Sequence, residues 1–182
     1  MRLFIGIKLN DEVLDKIGAA IIPLKKEKTP VRWVKRENIH ITLKFIGETD
    51  RKQTDKIMGL FNEKPVTSPF EIIIKGLGTF GREREVRIVW AGIEDGSKLK
   101  ELHFEIEQRL EKVGIKKELR DYTPHITIGR NNRFFKSGSF FKALKELEDV
   151  PISRLKVNSF QIFSSELFPD GPKYKILKNI LL

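Results

Sequence analysis

Cysteine is missing from this 182-residue chain. That absence excludes disulfides, a thiolate nucleophile, cysteine-ligated zinc and iron–sulfur clusters. Histidine is scarce, at three residues. Long apolar runs are lacking too, and no stretch approaches the ~18 residues of a membrane-spanning helix. Met1 to Ile7 is apolar except for Arg2, but Lys8, Asn10, Asp11 and Glu12 follow at once. The segment therefore lacks the longer apolar core and cleavage site of a signal peptide, and it reads as a buried first strand. A soluble, cytoplasmic protein is expected, and nothing in the charge pattern suggests self-association, so a monomer is expected. Negative charge is in deficit: 25 Asp+Glu stand against 35 Lys+Arg, a formal net charge of +10. Such an excess favours a polyanionic partner, nucleic acid or nucleotide first. The length suits a single domain spanning residues 1–182, which can bury ~70% of its unfolded surface without staples. High lysine and glutamate with no cysteine resembles thermophile usage.

The few histidines are the informative residues. Two of the three begin the same pattern, His40-Ile41-Thr42-Leu43 and His125-Ile126-Thr127-Ile128. Side chains at i and i+2 share one face of a strand. Each motif thus presents an imidazole and a hydroxyl side by side, with aliphatic residues facing the other way. Imidazole titrates near neutrality, so one histidine can serve as base while the other serves as acid. A phosphodiester held between the two would have its attacking water deprotonated by one ring and its leaving sugar oxygen protonated by the other. Thr42 and Thr127 would donate hydrogen bonds to the non-bridging oxygens, where charge accumulates. The scheme calls for no metal and no cofactor.

The order of elements repeats along the chain. Leu3–Leu9 reads as a strand, and Asn10 or Asp11 caps a helix burying Val13, Leu14, Ile17 and Ile21. Val31–Val34 and His40–Phe45 are strands, the latter with Ile41, Leu43 and Phe45 on one face and His40, Thr42 and Lys44 on the other. Asp50 caps a helix with Ile57, Leu60 and Phe61, and Phe70–Lys75 is a strand. The order then restarts: Val86–Ile93 is a strand, Ser97 caps a helix with Leu99, Leu102, Ile106, Leu110 and Val113, and the His125 strand follows. Phe140–Leu147 reads as a short helix, and Leu155–Phe163 and Tyr174–Ile180 as strands. Phe4 precedes His40 by 36 residues, as Val89 precedes His125. An internal duplication is expected: an α+β fold of two similar lobes, roughly half the chain each, of mainly antiparallel sheet with outer helices and a central cleft.

With these residues in view, the chain resembles the 2H phosphoesterase superfamily, and within it the RNA 2′,3′-cyclic phosphodiesterase group, also called 2′-5′ RNA ligase-like. The first motif with its flanks runs Glu37 to Glu48, and the second runs Pro124 to Arg130. Val89 to Ile93 and Gly171-Pro172-x-Tyr174 are similar to later strands of that family. The resemblance implies hydrolysis of RNA 2′,3′-cyclic phosphate ends, such as those of tRNA fragments, to 2′-phosphate, with possible reverse 2′-5′ ligation. It implies His40 as acid for the leaving oxygen, His125 as base for water, and Arg130 as a phosphate ligand. Strict alternation does not place Arg130 on the face of His125 and Thr127, so it is expected past the strand end, beyond a turn at Gly129. The alternative is a non-catalytic RNA- or nucleotide-binding module using the same cleft.

Gly76-Leu77-Gly78-Thr79-Phe80-Gly81 spells a dinucleotide fingerprint, but a charged segment and another strand follow where a helix is required. A hairpin loop is expected there. Phe80 is a candidate for stacking on a base, and Arg82, with Arg84 and Arg87, for RNA phosphate contact. Trp33 is read as core and His103 as a structural residue of its helix.

Overall fold

Alternating patterns and capping residues set the elements of the computed structural model. It describes residues 1–182 apart from 83, 84, 132, 134, 136 and 170, and of Arg82 and Glu85 the backbone alone. In chain order these are β1 (Arg2–Lys8), α1 (Asp11–Ala20), α2 (Ile22–Lys25), β2 (Arg32–Trp33), a 3₁₀ turn (Arg36–Asn38), β3 (His40–Glu48) and α3 (Arg51–Gly59). There follow β4 (Phe70–Arg82), β5 (Glu85–Glu94), α4 (Ser97–Glu111), β6 (His125–Arg130), α5 (Gly138–Glu146), β7 (Pro151–Val157), β8 (Ser159–Phe168) and β9 (Gly171–Leu181). The strands form one sheet in the order β7-β4-β5-β6-β3-β1-β8-β9, with β2 paired to β6. Each of these pairings is antiparallel.

The sheet is symmetric in plan about the β3–β6 seam. On one side lie β3, β1, β8 and β9; on the other lie β6, β5, β4 and β7. Each motif strand therefore neighbours the strand that precedes it across a helix. The side carrying His40 takes its outer strands from the C-terminal end of the chain. Helices cross the seam: α1 packs against β7, and α4 against β3. The apolar stripe of α1 (Val13, Leu14, Ile17) and that of α4 (Leu99, Leu102, Ile106, Leu110) are buried beneath the sheet with Ile41, Leu43, Ile126 and Ile128.

Most caps follow the sequence. Asn10 accepts the Val13 N–H at 2.9 Å and Asp50 the Gln53 N–H at 2.7 Å, each contributing about 1 kcal/mol to its helix. Ser97 is not the cap of α4. Gly96 occupies that position, and the carboxylate of Asp95 accepts the Ser97 N–H at 3.3 Å. The expected strand over 155–163 is two strands, β7 and β8, parted at Asn158. The glycine-rich run is not a loop: Leu77 to Arg82 continue β4, paired to β5 down to Glu85. Gly78 is needed there, because a β-carbon would collide with the indole of Trp90.

The largest departure concerns β3. The strand steps from Ile5↔Lys44 to Gly6↔Thr42, so two residues of β3 pass one of β1. This bulge resets the side-chain phase. Lys44 turns inward and is 2% exposed, while Phe45 turns outward and is 59% exposed. The expected faces are thus reversed beyond Leu43.

Candidate active site

The two motif strands share a single ladder pair, Ile41↔Ile126. That register is decisive. It sets His40 opposite Thr127 and Thr42 opposite His125, and residues opposite one another share a face. Both imidazoles and both hydroxyls therefore lie on one side of the sheet, each histidine diagonal to the other. Diagonal neighbours are ~7–8 Å apart at Cα, a span that brackets one phosphate group.

Each ring is oriented from behind by a carbonyl two residues upstream. His40 Nδ1 lies 2.7 Å from the Asn38 carbonyl, and His125 Nδ1 lies 2.8 Å from that of Thr123. A carbonyl only accepts, so Nδ1 carries the hydrogen and Nε2 is the basic nitrogen of each neutral ring. Thr42 Oγ1 lies 3.0 Å from His40 Nε2 and donates to it in that state. Each imidazole also meets an aromatic edge at 88°: Tyr174 at 5.3 Å from His40, and Phe80 at 4.9 Å from His125. Phe4 flanks His40 at 4.8 Å.

A second bulge settles Arg130. β6 steps from Val89↔Gly129 to Trp90↔Thr127, so Ile128 and Gly129 are both buried and Arg130 returns to the outward face. Exposure runs in the same sequence over His40 to Phe45 as over His125 to Arg130. Arg130 is thus the last residue of β6 itself, on the face of His125 and Thr127, and not beyond the strand after a turn.

A cavity of about 430 Å³ lies at this seam. Its walls include His40, Thr42, Thr127, Arg130, Trp33 and Tyr174. His125 is not among its lining residues; it stands on the same face of β6, two residues from Thr127. Burial holds His40 down to about 4, opposed by the Asn38 hydrogen bond and assisted by the charge of Arg130. His125 is also held below its ordinary value, by burial first, against the Thr123 hydrogen bond and with the help of Arg130. The same guanidinium acts on both rings, and it lines the cavity with His40.

Phe80 is not packed beneath a loop; its ring sits against His125 and Trp90. The side chain of Arg82 and the whole of Arg84 lie outside the described residues. Trp33 both packs on the core and lines the cavity. His103 does not line the cavity and lies 3.5 Å from Glu107 one helical turn on. Among the described residues no group of three or more His, Asp or Glu is placed to hold a metal ion.

Sequence reasoning missed the residues that make room for and brace the motifs. Gly6 pairs with Thr42, and a β-carbon there would stand 2.6 Å from the Ile41 carbonyl and 3.4 Å from His40 Cδ2. Asn38, besides its carbonyl, donates its amide to the Pro172 carbonyl at 2.8 Å and so fixes the start of β9, where Tyr174 stands. Gly6 resembles Gly92 in sequence, yet Gly92 pairs with His125 and is not its counterpart. A wider depression of about 980 Å³ between α3 and α4 holds no histidine.

Fold and site define an α+β protein whose paired His-x-Thr strands meet at the seam of one antiparallel sheet. The chain belongs to the 2′-5′ RNA ligase superfamily, whose model matches residues 13–166. It is 35% identical over 178 residues to a Thermotoga maritima protein named RNA 2′,3′-cyclic phosphodiesterase, covering 97% of this chain and 93% of the relative. A Methanocaldococcus jannaschii protein of the same name is 31% identical over 98% of this chain and 99% of its own length. Among solved structures, a Thermus thermophilus protein superposes with a TM-score of 0.81 at 24% identity, over 100% of this chain and 98% of that one. LigT of E. coli complexed with 3′-AMP superposes at 0.78 and 23% identity, over 100% and 97%. These two likenesses establish the fold. No helix among the described residues is long and apolar enough to cross a membrane.

Proposed function

We propose that this protein hydrolyses RNA 2′,3′-cyclic phosphate ends to 2′-phosphate, with His40 and His125 as paired acid and base. One observation carries the reading: a single ladder pair, Ile41↔Ile126, turns both imidazoles and both threonine hydroxyls to one face of the sheet, where His40, Thr42, Thr127 and Arg130 line a cavity. The names and full-length similarity of the relatives support the same substrate class. In the step, His125 Nε2 takes a proton from water and the water oxygen bonds to phosphorus. The P–O3′ bond breaks, and the O3′ electron pair takes the proton from His40 Nε2–H. The product bears a 2′-phosphate and a 3′-hydroxyl. Thr42, Thr127 and Arg130 face the non-bridging oxygens, where negative charge gathers.

The free Nε2 of His125 supports its part as base, since no described residue bonds it. His40 as acid carries a requirement. Burial keeps it neutral in the free protein, so binding of the anionic phosphate must raise its pKa and draw a proton from solvent onto Nε2. In this reading Phe80, edge-on to His125, meets the substrate beside the base. The protein acts as a monomer in this reading, since the described residues of one chain supply both motifs. The same steps with a 5′-hydroxyl in place of water join it to the 2′,3′-cyclic end as a 2′-5′ linkage, the P–O3′ bond again breaking.

The test is hydrolysis of a nucleoside 2′,3′-cyclic phosphate in excess chelator, followed by ³¹P NMR. The expected product is the 2′-phosphate alone. Binding without turnover would support a non-catalytic module, and activity lost to chelator and restored by zinc would overturn the all-side-chain mechanism.

A further inference from the structure

We propose that Tyr122 is a positioning residue that sets the spacing of the two histidines by bracing one motif strand against the other; this rests on the function proposed above. A lone ladder pair is a weak hinge between two halves of a sheet, and beside it a side chain adds a second cross-strand bond. The Tyr122 hydroxyl donates to the Thr42 carbonyl at 3.0 Å, across 80 residues of sequence. Tyr122 itself belongs to the segment leading into β6, and the next residue, Thr123, supplies the carbonyl that orients His125. One side chain thus joins the backbone of the first motif to the residue holding the second imidazole.

The brace is itself held from behind. The Tyr122 ring stacks on His103 at 4.3 Å and 5°. His103 Nε2 lies 3.5 Å from Glu107, and Glu107 pairs at 2.6 Å with Lys44, two residues beyond Thr42 on β3. The chain of contacts leaves β3 at Thr42 and returns to it at Lys44, so the phenol cannot swing without disturbing a buried ion pair. Burial, with the charge of Glu118, keeps the phenol protonated well above its ordinary range, so it remains a donor at any working pH. Tyr122 does not line the cavity, and its action runs through Thr42 and His125.

Tyr122→Phe keeps the ring and its stack on His103 and removes the hydroxyl alone. Misplacing a catalytic group by a fraction of an ångström costs a sizeable factor in rate. The expected result is a fall in kcat of about tenfold, with KM within twofold and the melting curve close to wild type. The His125 imidazole ¹⁵N and Nδ1–H resonances should shift, while those of His103 stay near their places. A kcat within twofold of wild type, or a loss confined to KM, would overturn the proposal. Should the wild-type protein fail to turn over the cyclic phosphate, the functional reading falls while the imidazole spectra still test the brace: unchanged His125 signals in Tyr122→Phe would sink it independently.

Discussion

Replacing Lys44 tests the packing beneath the first motif. The β3 bulge turns this lysine inward, where it is 2% exposed beside Glu107 at 6%. Its ammonium lies 2.6 Å from the Glu107 carboxylate, donates to the Lys116 carbonyl at 3.1 Å, and stands 3.6 Å from Glu118. Two buried charges cost desolvation that their attraction offsets only while both are present. Lys44→Met removes one and strands the other. The expected loss is roughly 3–5 kcal/mol, or about 6–20 °C in Tm for a chain of this size. The pair Lys44→Met with Glu107→Leu should recover most of that loss, since a hydrophobic replacement of both partners is often neutral or better. A second signal accompanies the first. Burial lowers the pKa of His103, Glu107 and Glu118 raise it, and Lys44 lowers it. Removing Lys44 deletes a lowering influence, so His103 should titrate at higher pH in Lys44→Met. Chemical denaturation gives the stabilities and NMR titration gives His103. A single variant within 1 kcal/mol of wild type, or a double variant no better than the single, would refute the reasoning.

Two further outcomes concern charge at the site. His40 sits near 4 in the free protein, so binding of a non-hydrolysable 2′,3′-cyclic phosphate analogue at pH 7 should take up close to one proton, read by calorimetry in buffers of different ionisation enthalpy; no uptake would remove His40 as acid. Arg130 lowers both motif histidines, so in Arg130→Gln both should titrate at higher pH. The same variant should lose about 10–100-fold in kcat/KM through a missing charge-assisted bond, and histidine pKa values left in place would contradict the placement of this guanidinium.

The motif strands, the helices flanking them and the repeated order were legible because each rests on local periodicity or a cap. Asn10 and Asp50 cap where their side chains predict. What escaped was set by other strands. A bulge inserts one residue relative to a neighbour, and alternation within β3 or β6 alone does not reveal it. Lys44, Phe45 and Arg130 were therefore assigned to the wrong face or place. The glycines of β4 read as a loop because their reasons lie elsewhere in the chain: Gly78 admits the indole of Trp90 from β5, and Gly76 passes against the Glu148 backbone. Gly6 and Tyr122 were missed for the same reason, since each acts on a residue more than thirty positions away.

The central claim is that both imidazoles work on one phosphate. Single-turnover rates of His40→Ala, His125→Ala and the double variant on a 2′,3′-cyclic nucleotide test it most directly. Each single change should remove ~10²–10⁴-fold, and the double should lose little more than either alone, as groups acting as a unit do. Losses that multiply, or a single variant retaining near wild-type rate, would contradict the account.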